Sequence, residues 1–105
     1  MSMISSEAEA HAKYRHSITC HTDDLAVVHC LRSLAQWAQQ SGQKFPSWGG
    51  TTKEHWKRDG HCITLRFTKP QYLDGFRQKA SELLCGLWSE VRASDNDPAT
   101  PAKRR

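Results

Sequence analysis

The chain has 105 residues, of which 37% are hydrophobic and 25% charged, with four tryptophans and a formal net charge of +4. That length holds one domain and not two with separate cores, and the composition argues against a disordered or membrane-embedded chain. A basic balance implies an anionic partner only where the charge gathers on one surface. Its distribution is therefore the question to follow.

Residues 1–13 are small, polar and aperiodic and read as a flexible tail. Residues 94–105, SDNDPATPAKRR, read as a second flexible tail with a basic end, leaving 14–93 as a single α+β domain without internal repeats. No basic start followed by a continuous apolar run marks export, so a cytoplasmic location away from membranes is expected. Cys20, Cys30, Cys62 and Cys85 never form CxxC and are expected as free thiols, with Cys20, Cys30 and Cys85 as small buried residues.

RHSITCHT alternates as a strand, with Ile18 and Cys20 on one side and Arg15, Ser17, Thr19 and His21 on the other. A helix follows, capped by Thr22 or Asp23 and stopped near Gly42, with Val27, Leu31, Leu34 and Ala38 in its apolar stripe, which Val28, Cys30 and Trp37 widen. QKFPSWGG, residues 43–50, is a loop whose Phe45 and Trp48 either close the core or bind a partner.

TTKEHWKR and HCITLRFT flank Asp59-Gly60, which reads as a hairpin turn between two strands. In that register Trp56, Ile63, Leu65 and Phe67 share the core face, while Lys53, His55, Lys57, Cys62, Thr64 and Arg66 share the polar one. One defect remains, because Thr52 and Glu54 then fall on the core side. From Pro70, Leu73, Phe76, Ala80, Leu83, Leu84, Leu87 and Val91 recur at spacings of three and four, which predicts a helix of about five turns. Gly75 and Gly86 inside it imply a close contact or a bend.

The resulting order is β-α-β-β-α. It resembles half of a ferredoxin-like fold: a three-stranded antiparallel sheet in the order 1-3-2, with two helices packed on one face. The other face is left open, and strand one adds Arg15 to the hairpin's cations. Arg15, Lys53, Lys57, Arg66 and His55 then form a basic surface suited to phosphate contact, and a nucleic acid or an acidic protein is the expected partner. No exposed sheet aromatic offers a base-stacking platform, and an ordinary solvated face is the competing reading.

His21, His55 and Cys62 approach one another across strands, yet they lack any ligand-spacing motif and a fourth donor, so no metal or other cofactor is assigned. A thiol nucleophile at Cys62 with a histidine base lacks a pocket, and no nucleotide, hydrolase or zincin motif occurs. The expected function is non-catalytic: a small binding or adaptor module using its basic face. The alternative is a protein-contact module using Trp48 in the 43–50 loop or Trp88 on the second helix, as a homodimer through its extra apolar residues.

Overall fold

The computed structural model describes residues 13–39 and 52–98. The 43–50 loop with Trp48, most of each predicted tail and the AKRR end lie outside the described residues. The elements are β1 (His16–His21), α1 (Leu25–Gln39), α2 (Lys53–Arg58), β2 (Cys62–Phe67), α3 (Pro70–Leu83) and β3 (Ser89–Ser94). The expected α+β class with a three-stranded antiparallel sheet is present, in the order β2-β1-β3. Two elements differ from the expectation, and as a result β1, not the 62–67 strand, is central.

The first difference is that residues 53–58 form a helix. The Thr52 side chain accepts a hydrogen bond from the His55 backbone N–H at 3.3 Å, and His55 Nδ1 accepts one from the Thr52 N–H at 3.2 Å, a reciprocal cap. Glu54 lies in the first turn and Lys57 and Arg58 in the last, which suits the helix dipole. At the far end Gly60 takes φ +70° and the His61 N–H reaches back to the Trp56 carbonyl at 2.9 Å. This is the six-to-one bond of a Schellman ending, so Asp59-Gly60 stops a helix and does not turn a hairpin. Trp56 is the one buried residue of α2, and the misplaced Thr52 and Glu54 of the strand reading are no longer a problem.

The second difference lies after Leu83. Leucine spacing continues to Val91, but Leu83, Leu87 and Val91 are 63%, 54% and 50% exposed, so that periodicity points at solvent. Gly86 at φ +80° turns the chain, the Leu87 N–H bonds to the Leu84 carbonyl at 3.0 Å, and β3 runs back antiparallel to β1. Its register holds a bulge: Thr19 faces Arg92 and Cys20 faces Glu90, which leaves Val91 as the extra residue.

Ile18 and Cys20 of β1 and Ile63, Leu65 and Phe67 of β2 meet Val28 and Leu31 of α1 and Phe76 and Ala80 of α3, all fully buried. Each large side chain removed from water in this way contributes about 1.5–3 kcal/mol. Phe76 packs between Phe67 and Trp88, with ring centroids 5.5 and 6.2 Å away, and the Trp88 indole donates to the Ala80 carbonyl at 3.2 Å. Outside the core, the Arg77 guanidinium grips both Glu90 carboxylate oxygens at 2.9 and 3.1 Å and ties α3 to β3.

The corner between β1 and α1 is held by Thr22. Its N–H donates to the His61 carbonyl at 3.1 Å and its carbonyl accepts from the Trp56 indole at 2.8 Å. Its hydroxyl donates to the Leu87 carbonyl at 3.0 Å and accepts from the Asp24 N–H at 3.2 Å. The cap of α1 is Asp24, whose Oδ1 accepts from the Ala26 N–H at 2.9 Å, and not Thr22 or Asp23.

Gly75 and Gly86 separate under substitution. A Cβ added at Gly75 meets nothing within 4 Å in a helical backbone, so Gly75→Ala stabilises the fold by about 0.5–1 kcal/mol in urea titration. Gly86→Ala meets equally open space, but its positive φ makes the change destabilising by about 1 kcal/mol or more.

Candidate functional site

The predicted polar face exists as a register but not as an open surface. Ser17 faces Arg66, Thr19 faces Thr64 and His21 faces Cys62 across β1 and β2. Ser17, Thr19, Thr64 and Arg66 are nonetheless only 3%, 4%, 9% and 6% exposed. Their polar groups are used internally. The two threonine hydroxyls bond at 2.9 Å, while the Ser17 hydroxyl donates to Asp97 Oδ2 at 2.9 Å. Arg66 donates to the Asp97 carbonyl at 2.7 Å and to its carboxylate at 3.0 Å. A buried arginine must be paired to be tolerated, and Asp97 supplies the charge.

The stretch after β3, expected as the start of a flexible tail, is thus bonded to the sheet. The Asp97 N–H donates to the Arg15 carbonyl at 2.8 Å, and Arg15 Nε donates to the Asp95 carbonyl at 3.3 Å. Of the five expected anion-binding residues, Arg15 and Arg66 are both fastened to the segment after β3, Arg66 by the Asp97 carboxylate and Arg15 by backbone carbonyl and N–H groups. Lys53, His55 and Lys57 stand apart on α2, with the His55 imidazole occupied by the Thr52 cap. The basic face expected from a hairpin is dispersed, because residues 53–58 are helical.

The histidines and cysteines are redistributed as well. His21 and Cys62 are cross-strand partners as expected, but His55 is not with them. Among the described residues no group of three or more His, Cys, Asp or Glu side chains is placed to hold a metal ion. Asp23 Oδ1 lies 2.9 Å from His61 Nδ1 and 3.6 Å from His21 Nε2. His61, at φ +64°, stacks on Trp56 with centroids 4.6 Å apart, so ring contact and Asp23 offset the cost of its left-handed backbone. Cys20 is buried, and desolvation, assisted by Glu90, pushes its thiol far above the ordinary range. Cys30 and Cys85, expected to be buried, are exposed.

Trp88, expected as a partner-binding residue, packs against the core. Besides Leu87 and Val91, exposed apolar side chains lie on α1 and at the end of α3. A groove of about 420 Å³ is lined by His29, Cys30, Ser33, Leu34, Leu83 and Leu84. Trp37, one turn beyond Leu34, is 57% exposed. The sequence signal for this surface was Trp37 itself, at the margin of an apolar stripe wider than one sheet face covers.

Comparison with protein families, with curated proteins and with solved structures finds no match for this chain. Among the described residues no helix is long and apolar enough to cross a membrane.

Two consequences are measurable. Asp97→Ala removes the carboxylate from the buried Arg66 guanidinium and lowers stability by about 1–3 kcal/mol in denaturant titration, whereas Asp95→Ala, whose bonded atom is the backbone carbonyl, stays near wild type. With a colorimetric thiol reagent under native conditions, Cys30 and Cys85 react first, half-buried Cys62 more slowly, and Cys20 only after unfolding.

Proposed function

We propose that this protein is a non-catalytic interaction module that contacts a protein partner through the outer face of α1 and α3. The observation that carries this reading is an exposed indole, Trp37, and an exposed leucine, Leu83, beside an apolar groove. Large aromatic and aliphatic side chains left in water next to a recess are the anchors protein interfaces use. The connectivity supports a ferredoxin-like arrangement with the second strand exchanged for α2, in which this helical face lies away from the sheet. Four free thiols fit a reducing compartment such as the cytoplasm.

An anionic partner, including nucleic acid, is the second reading, and it now rests on α2. Lys53 and Lys57 have no ion pair among the described residues, and Arg58 pairs only with its neighbour Asp59, at 3.5 Å. Three cations on a six-residue helix form a smaller footprint than the sheet face first implied.

Two double variants separate the readings. Trp37→Glu with Leu83→Glu is expected to abolish capture of partner proteins by the immobilised chain, and Lys53→Ala with Lys57→Ala to leave it intact. Binding of labelled single-stranded or duplex nucleic acid that falls steeply between about 50 and 200 mM salt, and is lost in the lysine variant alone, would replace the first reading with the second.

A further inference from the structure

We infer that the outer flank of α1 carries a binding site for a phosphate group, held by the Arg32 guanidinium together with His29, Ser33 and Gln36. This site goes beyond the protein-contact reading above and does not involve the cations of α2.

Spacing brings the four residues together. His29, Arg32, Ser33 and Gln36 occupy positions i, i+3, i+4 and i+7 of α1, so about two turns of helix set them on one stripe. His29, Ser33 and Gln36 are exposed, Arg32 is half-buried, and together they line a recess of about 220 Å³. Each of the four side chains can donate a hydrogen bond, and none is an acid. In its fifteen residues α1 holds no carboxylate, and Arg32 is its one formally charged side chain. Among the described residues Arg32 takes part in no ion pair.

The second observation is a donor without an acceptor. Arg32 Nε is closed off from solvent and has no hydrogen-bond partner, which is a costly state for a charged group. An oxyanion accepts from Nε and a neighbouring Nη in parallel, the bidentate geometry that a guanidinium offers and an ammonium does not. To present that edge the side chain swings outward over the recess, a rotamer change open to a half-exposed arginine.

The number of donors selects the ligand. The two oxygens of a carboxylate are used up by the guanidinium edge, whereas a tetrahedral phosphate keeps further oxygens for the Ser33 hydroxyl, the Gln36 amide and the His29 ring. At about 30 Å³ per water molecule the recess takes a phosphate and a few waters. It falls short of the roughly 300–1,000 Å³ that encloses a whole small molecule, so the ligand is the free ion or the phosphate end of something larger. The formal charge of +4 adds a favourable long-range field.

The test is an NMR titration with inorganic phosphate, with ionic strength held constant by chloride. Saturable shifts with a Kd of about 1 mM are expected at the amides of residues 29–36, and the Arg32 Nε proton is expected to move downfield and exchange more slowly with water. Arg32→Lys keeps the charge but loses the fork, and is expected to weaken binding by about 10-fold or more with an unchanged circular dichroism spectrum. Ser33→Ala with Gln36→Ala is expected to weaken it by a smaller factor, and Lys53→Ala with Lys57→Ala to leave it in place. Tighter binding of phosphoserine than of inorganic phosphate assigns the site to a phosphate ester, and the reverse order assigns it to the free ion. Absence of saturable shifts at Arg32 up to about 20 mM phosphate overturns the proposal. So do shifts that persist undiminished in Arg32→Lys, or that acetate produces as strongly as phosphate.

Discussion

One threonine holds the structure's busiest corner together. Every backbone and hydroxyl group of Thr22 is engaged, with the α2–β2 connection, the α2 indole, the α3–β3 turn and the start of α1. A short helix such as α2 is not stable by itself, since one and a half turns cannot repay the cost of nucleation. It persists because Trp56 is buried and its indole is bonded at that corner. The same corner fixes where β2 begins, and so the register that places Ile63 and Leu65 in the core.

The opposite end of the sheet depends on charge. Arg66 is buried on a face that the sequence leaves open to solvent, and its tolerance there rests on Asp97, thirty-one residues further on. Replacing such a pair with apolar groups often costs little, whereas breaking it is expensive. The pair therefore acts as a register device. It fastens the segment after β3 across β1 and β2, with Ser17 and Arg15 as additional points of attachment. A surface that looked like a ligand site is thereby converted into internal structure, and the exposed chemistry moves to the helices.

Much of this was legible in the sequence. Alternation in RHSITCHT and HCITLRFT, and the helical stripes of α1 and early α3, are strong local patterns that tertiary packing confirmed, down to the pairing of His21 with Cys62. TTKEHWKR was not legible because Asp-Gly serves both hairpin turns and helix endings, and histidine is an unusual third residue of a capping box. The misfit of Thr52 and Glu54 was the available sign of the error. β3 was hidden because Leu84, Leu87 and Val91 extend a helical spacing that Gly86 interrupts. The partnership of Asp97 with Arg66 is long-range and leaves no trace in local pattern. The same holds for the groove, which needs both helices in place to exist.

The bulge at Val91 has a consequence for growth of the sheet. β3 is an edge strand, and a regular edge is a template onto which further strands can add without limit. The extra residue breaks the even spacing of backbone donors and acceptors and increases the local twist, and Glu90 and Arg92 bracket it with opposite charges. A flat ribbon of joined sheets is thus disfavoured along that side. The molecule thus keeps an exposed edge that is a poor template for open-ended polymerisation.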